Sequence, residues 1–125
     1  MMAWSDVFLT VYSTMVVEEA IHGRPIVAVC LDAPRGWNTP RKYSLPLSKI
    51  GDWPTHSRFR NARAGRVALT EAELKVAIND YLHNPTADFE AQRAFIQQEC
   101  TYTDGNAGRR TGEFFLSVLN GLGGN

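Results

Sequence analysis

Ile26-Val27-Ala28-Val29-Cys30-Leu31, set between Gly23-Arg24-Pro25 and Asp32-Ala33-Pro34, is the stretch that decides the fold. Its side chains are uniformly apolar and half of them β-branched, and the stops on either side leave too little room for a helix. It therefore reads as a strand buried on both faces.

Upstream, Ser5 is placed to cap a helix in which Val7, Phe8, Val11, Tyr12, Met15 and Val16 recur at spacings of one, three and four. That helix is expected to run to about His22, where Gly23 supplies a left-handed cap and Pro25 forbids continuation. Downstream the pattern breaks. Pro34, Gly36, Pro40, Pro46, Gly51 and Pro54 punctuate the chain, and Tyr43-Ser44-Leu45-Pro46-Leu47 is an edge strand at best, because Pro46 cannot donate to a ladder. Residues 32–69 read as a Pro/Gly/Arg-rich insertion holding short strands or turns that spacing does not place.

Helical order returns at Thr70, with Glu73 three residues on to complete a capping box. Leu74, Ala77, Ile78, Tyr81 and Leu82 make one stripe, and Asn84-Pro85 stops it. A further helix is expected over about 86–99, with Ala87, Ala91, Ala94, Phe95 and Ile96 inward. After a turn at Asp104-Gly105-Asn106, a last helix is expected from about Thr111. Phe114, Phe115, Val118, Leu119 and Leu122 would be its buried stripe. Together these predict an α+β fold: a single small domain over 1–125, with three to four helices packed on a short sheet whose central member is 26–31.

The bulk properties agree with a globular protein. The chain has 125 residues, 44% hydrophobic and 21% charged, and a domain of this size buries about two-thirds of its unfolded surface without a staple. Cys30 and Cys100 are too few for a secreted disulfide scaffold, and no apolar stretch approaches the roughly 18–20 residues of a membrane span. The start of the chain lacks the basic region of a signal peptide, so a cytoplasmic location without membrane contact is expected.

Net charge is zero, but the charges are segregated. Residues 35–66 carry Arg35, Arg41, Lys42, Lys49, Arg58, Arg60, Arg63 and Arg66 against Asp52 alone, while 67–100 are net acidic. Trp37, Tyr43, Trp53, His56 and Phe59 lie among these cations. Cations neutralise phosphate, and flat rings stack on bases or fill a partner's apolar patch. The expected partner surface is Arg35, Trp37, Arg41, Lys42, Tyr43, Trp53, Arg58, Arg60, Arg63 and Arg66, engaging an acidic protein surface or nucleic acid. The bland alternative is that these arginines lie against the acidic helices of 67–100.

A second signal is Asp104-Gly105-Asn106-Ala107-Gly108-Arg109-Arg110-Thr111-Gly112, a glycine-rich turn entering a helix. Asp104, Asn106, Arg109 and Arg110 have the chemistry of an anion site, and equally that of a plain helix–helix turn. The run is similar to the loop of Fic-type nucleotidyl-transferring domains. Cys100, however, stands where that family's catalytic histidine falls, and the glycine–arginine pair is displaced by one residue, so no family is assigned on it.

The histidines at 22, 56 and 83 are scattered without metal-ligand spacing, and no base is identified for Cys100. The sequence therefore names no catalytic residue, metal or cofactor. The function expected is non-catalytic binding or regulation through segment 35–66. The rivals are a small enzyme for a phosphorylated or nucleotide-like molecule at the 104–112 turn, and a structural or assembly subunit that forms a homo-oligomer.

Overall fold

The apolar run does form the central strand. A computed structural model describes residues 4–32 and 46–122, which form β1 (Phe8–Thr10), α1 (Met15–Ile21), β2 (Ile26–Val29), α2 (Leu47–Ile50), α3 (Pro54–Ala62), β3 (Arg66–Ala68), α4 (Glu71–His83), α5 (Phe89–Glu99) and α6 (Ala107–Leu122). The sheet order is β1-β2-β3 and both pairings are parallel. Ile26 lies opposite Phe8, and Val27 lies between Leu9 and Arg66. The ladder is prolonged by Phe8 N–H donating to the Pro25 carbonyl (2.8 Å) and Cys30 N–H to the Ala68 carbonyl (2.8 Å).

Alternation along β2 explains why its sequence does not alternate. Ile26, Ala28 and Cys30 point into a core made with Tyr12, Val16, Ala20, Phe59 and Phe95, whereas Val27 joins Ala68, Ala77 and Tyr81 on the opposite face. Helices α1, α3 and α5 thus cover one face and α4 the other, so both sets of β2 side chains must be apolar. Burying residues such as Ile26 and Val27, which have no exposed surface, stabilises the fold by about 1.5–3 kcal/mol each before entropy is counted. In the first core Phe59 and Phe95 meet edge to face, with centroids 5.8 Å apart.

The α+β expectation of three to four helices on a short sheet is overturned. Among the described residues there are six helices and an open, parallel three-stranded sheet, in the alternating order that builds an α/β layering. Two elements account for the difference. The expected first helix is a strand followed by a helix: Tyr12 takes a left-handed backbone (φ 40°), which ends β1 and turns the chain into α1. There the Ser13 hydroxyl accepts from Met15 N–H (3.3 Å). Within 32–69, Pro54 opens α3 instead of breaking structure, since proline's missing donor costs nothing at the first helical position. α3 then leads to β3.

Other expectations hold. His22 caps α1 and Gly23 follows at φ 64°. Thr70 Oγ accepts from Glu73 N–H (3.2 Å) while the Glu73 carboxylate accepts from Thr70 N–H (3.2 Å), the reciprocal capping box of α4. α5 begins at Phe89, later than the expected 86, and buries Gln92 with Phe95. Gln92 donates from Nε2 to the Arg24 carbonyl (2.8 Å). α6 starts at Ala107, and its stripe is not buried: no described residue of α6 is.

Candidate functional site

In a parallel sheet with helices on both faces, the loops that leave the carboxyl ends of the strands meet in one place, and ligands bind there. In this chain that edge is where Val11–Thr14 follows β1 and Cys30–Asp32 follows β2. α2 and the start of α3 are folded onto it by three attachments, while the end of α3 returns to the amino edge, where Gly65 packs on Ile26 and Arg66 pairs with Val27. The Asp32 carboxylate accepts from both Ser48 N–H (3.1 Å) and Ser48 Oγ–H (2.6 Å), which ties α2 to the end of β2. Gly51 packs on the Tyr12 hydroxyl. The His56 ring lies 5.2 Å from that of Tyr12, and Trp53 stacks on His56 at 6.2 Å and 26°.

The result is a ladder of three rings, Tyr12, His56 and Trp53, rising from the core to the surface. Tyr12 is buried and Trp53 is 47% exposed. Burial, helped by a hydrogen bond with Cys30, pushes the Tyr12 phenol up to about 12, with nearby Arg60 opposing it. Burial likewise pushes the Cys30 thiol up. Burial thus favours the neutral form of both groups. Asp32 is held below the usual carboxylate range, first by the Ser48 hydroxyl and then by the Ser48 amide.

The arginines divide. Arg58 pairs with Glu99 of α5 (3.2 Å) and Arg66 with Asp80 of α4, so two of them do meet the acidic helices. Arg66 also lies over the Tyr81 ring, 4.8 Å from its centroid. The hydroxyl of Tyr81 donates to Asp88, and burial, then that bond, raises the Tyr81 phenol. Arg60 pairs with Asp52 (2.7 Å) inside its own segment. Arg63, exposed in the left-handed cap of α3 (φ 53°), forms no ion pair among the described residues. Arg35, Trp37, Arg41, Lys42 and Tyr43 lie outside the described residues.

The 104–112 turn is self-contained. Both oxygens of Asp104 accept from Arg110 (2.9 Å each), and Asn106 N–H adds a third bond (3.1 Å). Together these hold the carboxyl well below its usual range. Arg110 also covers the Tyr102 ring at 4.0 Å, and Arg109 faces Glu113 at 3.7 Å. All four residues named from sequence as an anion site are thus engaged with one another or with the start of α6. An open groove of about 500 Å³ lies elsewhere, between β3 and α4, lined by Arg66, Val67, Ala72, Glu73, Val76 and Ala77.

Sequence reasoning missed Tyr12, Asp32, Ser48 and Glu19. Glu19 sits one turn into α1 with no exposed surface, and neither of its carboxylate oxygens has a hydrogen-bond partner among the described residues. Desolvation raises its pKa, against the pull of His22 and Arg24. The available signal was an acidic residue on the inner face of a short helix, and it was invisible while 5–22 read as one long helix.

Among the described residues no group of three His, Cys, Asp or Glu side chains is placed to hold a metal ion, and no helix is long and apolar enough to cross a membrane. No family model, curated protein or solved structure matches the chain.

Proposed function

We propose that this domain is a binding module for a negatively charged ligand whose recognised group is phosphate, on a free nucleotide-like molecule or on a nucleic-acid strand. The ligand is engaged at the carboxyl edge of the sheet by the basic, aromatic segment. The observation that carries this reading is the placement of α2 and the start of α3 on that edge, with the Tyr12-His56-Trp53 ladder ending in an exposed indole. A ring at the surface offers a stacking face. Lys49 of α2, exposed near Asp32 at the same edge and in no ion pair among the described residues, supplies a cation for phosphate. Arg63, by contrast, lies at the far end of α3 toward the amino edge of the sheet. Arg35, Trp37, Arg41, Lys42 and Tyr43, outside the described residues, are proposed as partner-binding on their charge and rings alone.

Arg58, Arg60 and Arg66 take a smaller part than their sequence positions imply. Each is spent on a carboxylate, and moving it to a ligand means leaving that carboxylate unpaired.

The test is titration with a nucleoside diphosphate, inorganic phosphate, a single-stranded oligonucleotide and an acidic peptide at low salt. Tryptophan fluorescence is followed in the wild type and in Trp53→Phe. Phosphate-bearing ligands are expected to quench Trp53, with affinity falling as salt rises and dropping on Lys49→Ala but not on Arg63→Ala. Binding of the acidic peptide alone, or of none of the four, overturns the reading.

A further inference from the structure

We infer that α6 is a self-association element, in which two copies of this chain pair their α6 helices antiparallel through the stripe Phe114, Phe115, Val118, Leu119 and Leu122. This surface is separate from the carboxyl edge of the sheet and is independent of what binds there.

The helix cannot account for its own order. It has sixteen residues, barely more than the roughly 12–15 below which isolated helices are marginal in water. Gly108, Gly112 and Gly121 weaken it further, each by about 1 kcal/mol relative to alanine. Its contacts are with the loop that leads into it, where Asp104 and Tyr102 clasp Arg110. Beyond that clasp every described residue is exposed. At 3.6 residues per turn, the five stripe residues fall within roughly 140° of the helix circumference. They are 41–75% exposed. Such a patch reaches the several hundred Å² at which exposed apolar surface marks an interaction site.

The occupant follows from charge and area. From Phe114 to Leu122 there is no charged residue. A second copy brings the same charges as the first, so a two-fold interface is penalised by any charge near its axis. This stripe has none. An antiparallel pair centred on Val118 sets Arg109 and Glu113 of each copy beyond the partner's stripe, where their mutual pairing (3.7 Å) is undisturbed. The stripe then supplies the apolar centre of an interface that needs about 800 Å² per partner, with the polar rim coming from neighbouring residues. A lipid surface fits less well. Interfacial helices flank the apolar face with free cations, whereas Arg109 and Arg110 are committed to Glu113 and Asp104.

The experiment is sedimentation of the full chain over a micromolar to submillimolar range, comparing the wild type with Phe115→Glu, Leu119→Glu and, on the opposite side of the helix, Asn120→Glu. The wild type and Asn120→Glu are expected to dimerise. The two stripe variants are expected to raise the dimer's dissociation constant by roughly tenfold or more. Because a stripe variant can also unravel α6, disulfide capture provides an independent measurement. Val118→Cys is expected to give a covalent dimer under mild oxidant, and Asn120→Cys is not. A monomeric wild type, a dimer indifferent to the stripe variants, or equal capture at 118 and 120 overturns the inference. So does a monomer whose α6 is protected from hydrogen exchange only by lipid vesicles.

Discussion

Gly51 lies against the hydroxyl of Tyr12, so close that a Cβ on the glycine would stand 2.2 Å from the phenolic oxygen and 2.6 Å from the ring carbon that bears it. This one contact joins the loop after β1 to the turn between α2 and α3, and so seats those two helices' near ends on the sheet's carboxyl edge. Gly51→Ala is therefore expected to destabilise the fold by about 1–3 kcal/mol, the usual cost of overpacking, measured by denaturant unfolding. Tyr12→Phe is not expected to rescue it, because the ring carbon remains in the way. A neutral Gly51→Ala would show that the two segments are not held together.

Glu19 supplies the second prediction. Its carboxylate is buried without a partner, so the fold prefers the protonated form and the pKa is raised above the unfolded value. For an acid shifted upward, stability is highest below the unfolded pKa and is lost as pH rises through the folded one. Glu19→Gln removes that loss. It is expected to raise stability near pH 7 by the order of 1 kcal/mol and to have little effect in acid below the unfolded carboxylate value. Thermal melts of the two proteins at several pH values would read this directly.

The third prediction has the opposite sign. The Ser48 bonds depress the Asp32 pKa, so the tether of α2 is fully present above the unfolded value, 3.8, and is lost as pH falls below it through the folded one. Exchange of the Ser48 amide, which donates to Asp32, is expected to speed up across that acid window and, in Asp32→Asn, already at neutral pH. Unchanged protection in the variant would mean that α2 is held by other contacts.

A fourth concerns α4. Thr70→Ala removes the acceptor for Glu73 N–H and is expected to cost about 1 kcal/mol. Its exchange signature should be confined to the first turn of α4, from Glu71 onward. Loss of protection across the whole chain would indicate that the cap acts globally.

The features legible in sequence were those with local causes. Gly23 and Pro25 end α1, Thr70 and Glu73 cap α4, and Asn84-Pro85 closes it, each through a hydrogen bond or steric limit within a few residues. β1 was not legible, because Val7, Phe8, Val11 and Tyr12 fit a helical spacing as well as a strand. What selects the strand is the ladder to β2, some eighteen residues away in register. Pro54 was read as a breaker when it was a start signal, and α3 and β3 were lost with it.

The candidate site was legible only as a composition. Eight cations with interleaved rings marked segment 35–66, but nothing local says that Arg58 and Arg66 reach Glu99 and Asp80, or that Arg63 forms no such pair among the described residues. The ring ladder brings together residues 12, 53 and 56, and the tether brings together 32 and 48.

The sequence by itself determined that a strand covered on both faces begins at Ile26, because a short, continuous apolar run between Pro25 and Pro34 leaves too little length for a buried helix; in the structure it spans Ile26–Val29. It also determined where α1 and α4 stop and that the positive charge is concentrated in the middle of the chain. Only the tertiary structure decided that this strand is flanked by two parallel partners, which of its neighbours line the carboxyl edge, which arginines are spent on internal carboxylates, and that the stripe of α6 faces outward. Those are pairings between residues distant in sequence, and their free energy appears only when the chain has already closed the loops between them.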